Sequence, residues 1–420
     1  MMKLIVTHPT GNQNVRAAVK GFIEAGIETN FKTTVATFPD GWLSKVSGLE
    51  KFSQLKKRCY DPKLKLVTET WPWLEAARLL ALKAGIQSLV KHERGLFSVD
   101  AVYRNLDKRV AGQLSQVAKN GVEALYSYED GALNTFTAAK KLGLRCFYDL
   151  PIGYWRVAHQ IFQIERERWP EWASTLTGLH DSMTKLGQKD EELRMADAVF
   201  VASSFTARTL KKFPGTLPDV EVIPYGFPPV GEERDYSSSS KGPLKVLFVG
   251  GLSQRKGIAN LFSAVSQLKA HVRLTVIGKK TTQECEALNK ELAKNTWIPA
   301  LAHHDILKEM RRHDVLVFPS LFEGFGLVIT EAMSQGTPVI TTDRTAGPEF
   351  IDHGRNGWLI ESGSTQAVTH ALEEILSNRS SIPEVGRAAM ETARQRPWEV
   401  YGRELAQAVC NQLENHPVLS

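Results

Sequence analysis

Phe318-Pro319-Ser320-Leu321-Phe322-Glu323-Gly324-Phe325-Gly326-Leu327-Val328-Ile329-Thr330-Glu331-Ala332 reads as the end of an apolar strand, a glycine-bearing turn and the start of a helix. The first turn of such a helix leaves backbone N–H groups unpaired, and these can receive a diphosphate. Glu323 and Glu331, eight positions apart, can accept hydrogen bonds from sugar and ribose hydroxyls. A helix beginning at Leu327 places Glu331 about 6 Å further along the axis, roughly the span from phosphate to ribose. The segment therefore reads as a donor site for a nucleotide sugar.

The same strand-then-helix grammar surrounds it. Residues 3–7 predict a strand, followed by the loop His8-Pro9-Thr10-Gly11-Asn12-Gln13-Asn14 and a helix near 15–25. Further strands are expected at Ala124–Tyr128, Arg145–Tyr148, Ala198–Ala202 and Val220–Ile223, alternating with helices as in a parallel, helix-covered sheet. A polar stretch with Ser237-Ser238-Ser239-Ser240 predicts a linker over 231–243. The pattern then restarts with strands at Val246–Val249, Leu274–Ile277, Val315–Phe318, Val339–Thr341 and Trp358–Ile360. Two α/β domains follow, over 1–230 and 244–397. A final helix from 398 to the end carries Trp398, Tyr401, Leu405, Ala408 and Val409 on one stripe, which could close the second domain or cross back onto the first. Facing α/β domains place ligands at the carboxyl ends of their strands.

The 420 residues suffice for two such cores, with 42% apolar and 23% charged residues. Cys59, Cys146, Cys285 and Cys410 are scattered without a CxxC pair, so neither a zinc site nor a disulfide framework is indicated, and a reducing cytoplasm is the expectation. No run approaches the ~18 apolar residues of a membrane span. The net charge of +6 is uneven. Residues 1–230 hold about 31 Lys+Arg against about 24 Asp+Glu. Nucleic acid is not an expected partner, because no aromatic-interleaved basic motif accompanies this charge.

In the second domain, Gly250-Gly251-Leu252-Ser253-Gln254-Arg255-Lys256-Gly257 joins a strand to a helix. Its glycines allow close backbone approach, and Arg255 and Lys256 can meet phosphate oxygens. It is neither GxGxxG nor GxxxxGK[ST], which argues against dinucleotide and P-loop readings. Glu349, in Gly347-Pro348-Glu349, reads equally as a ligand contact or a helix cap. For His8 and Gln13-Asn14, ligand contact and ordinary loop are balanced. His303-His304 and His313 lack partners at metal-ligand spacing, and no metal is expected. The charge runs Glu165–Arg168 and Lys189–Glu192 read as solvated helix faces.

The second domain resembles the donor half of GT-B glycosyltransferases, specifically the large retaining family called family 4. The likeness rests on Gly250–Gly257, Val276-Ile277-Gly278, Phe318-Pro319-Ser320 and Glu323-Gly324-Phe325-Gly326. Glu331-Ala332-Met333, Gly336-Thr337-Pro338-Val339-Ile340, Gly347-x-Glu349 and Gly354-Arg355-Asn356-Gly357 extend it. It implies two Rossmann-like domains facing across a cleft, with the terminal helix returning to the first. It also implies that Glu323 binds sugar hydroxyls, that the amides of Phe325, Gly326 and Leu327 hold the diphosphate, that Glu331 holds the ribose, and that Lys256 is a phosphate-binding lysine. Two departures stand out. Gly251 lies where the family often has arginine, for which Arg255 is a substitute. The family's first-domain histidine is absent from Phe147-Tyr148-Asp149-Leu150-Pro151. Either Asp149 or the Glu129-Asp130 pair takes its place near the acceptor, or the first domain uses other chemistry. Gly11 and Asn12 complete the acceptor-side expectation.

The implied activity is hexosyl transfer, with retention and without metal or other cofactor, from a UDP- or GDP-sugar to a glycan, glycolipid or small-molecule hydroxyl. The family's habit places this in polysaccharide, lipopolysaccharide or glycolipid synthesis. The alternatives are a nucleotide-sugar epimerase of the same fold and a non-catalytic nucleotide-sugar-binding protein. Leu79, Leu82, Ile86 and Leu89 predict one helical stripe, with Lys83, Lys91 and Arg94 nearby and Lys56-Lys57-Arg58 upstream. Such a helix packs into a core or rests peripherally on an anionic membrane, at the inner face of the cell membrane.

Overall fold

The computed structural model describes residues 2–39, 58–178, 180–237 and 242–415. The strands β1 (Lys3–Thr7), β2 (Glu28–Thr33), β3 (Thr68–Thr70), β4 (Ala124–Tyr128), β5 (Arg145–Leu150), β6 (Ala198–Val201) and β7 (Val220–Val222) make one parallel sheet. Its order is β3-β2-β1-β4-β5-β6-β7. A second parallel sheet contains β8 (Leu244–Val249), β9 (Val272–Ile277), β10 (Thr296–Ile298), β11 (Val315–Phe318), β12 (Val339–Thr342) and β13 (Trp358–Ile360), in the order β10-β9-β8-β11-β12-β13.

Central strands are apolar because helices cover both faces. In β1, Leu4 and Val6 join one core cluster while Ile5 joins the opposite one. The sequence reading did not anticipate β2, β3 and β10. The first is interrupted by polar residues, and the other two are three-residue edge strands. In both sheets the strand order reverses beside the first strand, between β1 and β4 and between β8 and β11. These reversals are the switch points at which α/β sheets open a crevice.

The segment expected as a linker is only partly one. Buried Arg234 donates to the Gly336 carbonyl (2.9 Å) and to Thr337 Oγ1 (2.8 Å), and the Tyr236 hydroxyl donates to the same carbonyl. Residues 234–236 thus adhere to the second domain; their polar character serves these buried carbonyls instead of solvent. Ser238-Ser239-Ser240 lie outside the described residues.

The terminal helix Trp398–Asn415 packs along the first helix, Gln13–Glu24. Tyr401, Leu405, Ala408 and Val409 join the first-domain core. The helices touch at Gly21 and Gly402, where a Cβ on Gly21 would lie 2.2 Å from the Gly402 carbonyl oxygen. The chain therefore crosses between domains twice, and the crossings run side by side. Phe227 N–H donates to the Arg396 carbonyl at 2.8 Å, and the Arg396 guanidinium returns a bond to the Pro224 carbonyl at 2.6 Å. Gly21→Val should lower the unfolding free energy by about 2 kcal/mol or more through overpacking. Lys20→Ala, which removes the exposed Lys20–Glu399 pair on the same seam, should cost under about 1 kcal/mol. Urea denaturation midpoints check both.

Candidate functional site

The carboxyl ends of β1 and β4 face those of β8 and β11 across one cavity of about 580 Å³. Its second-domain wall is the turn after β11. Here Gly324 presses so close to the first domain that a Cβ would lie 1.8 Å from the Pro151 carbonyl oxygen. The Gly324 carbonyl accepts hydrogen bonds from Ser203 Oγ (2.6 Å) and Thr206 Oγ1 (3.3 Å). Beside this latch, Glu349 accepts the N–H of Ser204 at the start of the helix Ser204–Leu210. Glu349 is thus a cap, but for a helix of the other domain.

Gly326, at φ 89°, bends the chain into the helix Leu327–Ser334. Ala346 N–H holds the turn from behind by donating to the Phe325 carbonyl at 2.8 Å. Among the described residues no protein acceptor meets the N–H groups of Phe325, Gly326 or Leu327, and all three residues line the cavity. An anion entering there meets a helix start.

Lys256, Arg255 and Glu323 stand together beside these amides. The Lys256 ammonium pairs with the Glu323 carboxylate and lies 4.8 Å from the centre of the Phe318 ring. Arg255 Nη1 donates to the Phe322 carbonyl (2.9 Å) and lies 3.5 Å from Glu323. Burial opposes ionisation of Glu323, but Lys256 and then Arg255 outweigh it and hold the carboxyl below its ordinary value. Burial likewise draws Lys256 below its ordinary value, against the raising influence of Glu323. Gly250 and Gly251 complete this wall with bare backbone.

From the first domain, Asn12, Glu129 and Asp130 line the cavity. Glu129 lies 3.3 Å from Lys189, and Asp130 lies 3.5 Å from both Lys185 and Lys189. Burial pushes Glu129 up to about 7 despite Lys189. Glu192 accepts the N–H groups of Asp130 and Ala132 and the Tyr148 hydroxyl. The run Lys189–Glu192 is therefore no solvated face. Lys189 and Glu192 hold the Glu129-Asp130 loop while Asp190 accepts from Tyr154, Trp155 and Arg156, and the signal for the loop support was the spacing of Lys185, Lys189 and Glu192 on one helix face. Glu165, read the same way, is also buried and accepts from Gln254 Nε2 at 2.7 Å.

Four expected site residues stand outside the cavity lining, the first being Gly324, which is turned to the first domain. Gly11 turns behind its wall, with its N–H donating to His8 Nδ1 at 2.9 Å. Glu331 is hydrogen-bonded with His303 at 3.0 Å and raises that imidazole above its ordinary value. Asp149, expected near the acceptor, is buried and accepts the Tyr126 hydroxyl at 2.7 Å. The amphipathic stripe also differs. The helix Trp73–Lys83 ends before Ile86, and Leu79 and Leu89 are partly buried. The exposed apolar side chains are instead Leu66 (97%), Trp73 (79%), Leu80 (66%) and Leu96 (67%), with Leu82 and Ile86. Lys56-Lys57 lie outside the described residues. Among the described residues, His92, Glu93 and Asp181 could together hold a metal ion. None lines the cavity, and Lys185 already bonds Asp181 at 3.1 Å.

Known proteins with this arrangement define a class. The chain has the GT-B fold: it superposes over 99% of its length on all of sucrose-phosphate synthase from Thermosynechococcus elongatus, at TM-score 0.64 and 17% identity. It also superposes over 98% of its length on all of Anabaena HepE solved with UDP-glucose, at TM-score 0.60 and 16% identity. Residues 230–396, most of the second domain, match the family model described as glycosyl transferases group 1. A D-inositol 3-phosphate glycosyltransferase of Pseudarthrobacter chlorophenolicus is 30% identical over 37% of this chain and 40% of its own. Glycogen synthase of Mycobacterium tuberculosis is 24% identical over 60% of each chain. The chain spans less than two thirds of these curated relatives' length.

The buried carboxyl beneath the cavity has a measurable consequence. Burial pushes Asp149 up to about 7, against the lowering influence of the Tyr126 hydroxyl, whereas an unfolded aspartate titrates near ~3.9. The folded chain keeps a proton there that the unfolded chain has shed. This contribution to stability is present at low pH, is lost as pH rises through about 7, and is level above that. Between pH 5 and 8 the wild type should lose about 2 kcal/mol relative to Asp149→Asn, read from denaturant midpoints at the two pH values.

Proposed function

We propose that the protein transfers a hexosyl group from a UDP- or GDP-sugar to a hydroxyl of a glycan, glycolipid or small molecule. In this reading the anomeric configuration is retained, no metal takes part, and the product enters polysaccharide, lipopolysaccharide or glycolipid synthesis. One observation carries it: the unpaired amides of 325–327 and two half-buried cations converge on one end of a cavity whose other end is first-domain carboxylate. Solved complexes of HepE with UDP and with UDP-glucose favour a uridine donor as the first to test.

The chemistry follows from charge. The C1–oxygen bond to the diphosphate breaks, and the diphosphate leaves with the bonding electrons. The acceptor oxygen bonds C1 on the same face, and its proton passes to a leaving phosphate oxygen. Negative charge builds on the diphosphate as the sugar gains oxocarbenium character. Fixed N–H dipoles and the Lys256 and Arg255 charges stabilise that charge more than the ground state. An arriving diphosphate takes Lys256 from Glu323, and the released carboxylate accepts sugar hydroxyls. Because Lys256 and Glu323 are paired beforehand, neither is a lone buried charge before the donor arrives.

Incubation of the protein with UDP-glucose, UDP-N-acetylglucosamine, UDP-galactose and GDP-mannose, singly and with a hydroxyl acceptor library, should release UDP or GDP from one donor. Lys256→Gln should lower that kcat at least about 100-fold, and EDTA should leave it unchanged. Full turnover by Lys256→Gln would end the assignment. Donor converted to an isomer without any acceptor would favour the epimerase reading.

The same proposal includes peripheral contact with an anionic membrane. No helix among the described residues is long and apolar enough to cross one. The exposed Leu66, Trp73, Leu80, Leu82, Ile86 and Leu96 share their stretch of chain with exposed Lys63, Lys65, Lys83, Lys91 and Arg94. Apolar side chains ringed by cations suit a lipid surface with negative headgroups. Flotation with phosphatidylglycerol vesicles should recover the wild type, and Trp73→Asp with Leu80→Glu should abolish recovery. Equal recovery with neutral phosphatidylcholine would count against the charge-based contact.

A further inference from the structure

The cavity's first-domain wall holds a hydrogen-bond donor that the proposed chemistry has not yet used. β1 ends at Thr7, and His8 follows it at the switch point, its N–H still donating to the Lys32 carbonyl at 3.1 Å. The imidazole is buried, yet it lines the cavity. One edge of the ring is fully committed. Nδ1 accepts the backbone N–H of Thr10 (3.1 Å) and of Gly11 (2.9 Å). A nitrogen accepting two N–H bonds carries no proton, so the hydrogen resides on Nε2. Two tyrosines set the ring plane: Tyr128 meets it edge-on at 4.8 Å between centres, and Tyr103 at 6.1 Å.

Nε2, on the opposite edge, meets no protein acceptor among the described residues, and it is not among the side-chain atoms sealed from solvent without a partner. Its neighbours on this wall are already engaged, Glu129 and Asp130 with lysines and the Asn14 amide with the Tyr225 hydroxyl. Resting on the proposed donor site, we infer that His8 Nε2–H donates a hydrogen bond to a hydroxyl of the transferred hexosyl ring, making His8 a specificity-determining residue for the sugar. A diphosphate at the Phe325–Leu327 amides leaves its sugar projecting toward the first domain, where a fixed donor discriminates a hydroxyl from its absence. The ring does not act as a base. Burial, with the nearby Arg58 charge, lowers its pKa to about 3, so it stays neutral wherever the protein is folded and active.

Two substitutions separate reading a sugar from propping up the loop. In His8→Asn the amide oxygen replaces Nδ1 as acceptor for Thr10 and Gly11, and the Nε2 donor is lost. In His8→Gln the amide nitrogen reaches the Nε2 position, and the Nδ1 acceptor is lost. Calorimetric affinities are measured for UDP-glucose, UDP-galactose and GDP-mannose, each beside its bare diphosphate UDP or GDP. The expected result is that His8→Asn weakens the bound nucleotide sugar about tenfold and leaves the bare diphosphate unchanged, while His8→Gln retains most of the sugar affinity. The reverse ranking, or equal losses for sugar and bare diphosphate, means His8 only supports the loop and overturns the inference. A wild type that binds the bare diphosphate and the nucleotide sugar equally overturns it too. A wild type that binds none of these compounds overturns the donor-site reading first, and the role of His8 with it.

Discussion

The Gly324 carbonyl, held by Ser203 and Thr206 across the domain boundary, is the contact on which the site depends. A trans peptide is a rigid plane, and its N–H points opposite its C=O. Tying the Gly324 oxygen to the first domain therefore sends the Phe325 N–H the other way, into the cavity. The left-handed Gly326 then swings the next amides to the same side before the helix begins. No side chain at 324 could be accommodated, since the Pro151 carbonyl already occupies the space. Two hydrogen bonds across the domain boundary thus tie the packing of the two domains to the direction of the unpaired Phe325 amide.

Charge is arranged around this turn in advance. Glu323 lies between two cations, and the Glu129-Asp130 loop opposite lies on two lysines, so each wall is internally neutralised before any ligand arrives. Solitary charges in such a place would be expensive to bury; paired ones are tolerated and remain exchangeable. Glu192 accepts from four groups around the Glu129-Asp130 loop without itself lining the cavity.

Legibility followed length and apolarity. Most of the ten anticipated strands are buried and apolar, and the second domain's glycine turns have fixed spacings, so both could be read directly. β2 was hidden because Phe31 is its only apolar residue, and β3 and β10 were too short to show a period. Lys189–Glu192 misled for a different reason: a charged helix face looks the same whether it meets water or a neighbouring carboxylate loop. Asp149 was one of two candidates for the place of the family's first-domain histidine; it lies within β5, bonded to the Tyr126 hydroxyl of the neighbouring strand, and only the Glu129-Asp130 pair lines the cavity. Arg234 shows the reverse error, a charged residue in a polar stretch that turns inward because two carbonyls wait there.

The paired crossings at Phe227 and Arg396 carry a mechanical corollary. The two crossing segments are tied to one another by main-chain and guanidinium bonds, so neither can slide without breaking its bond to the other. The join between the domains is thus a double-stranded seam instead of a single tether, which keeps the two halves of the cavity in register.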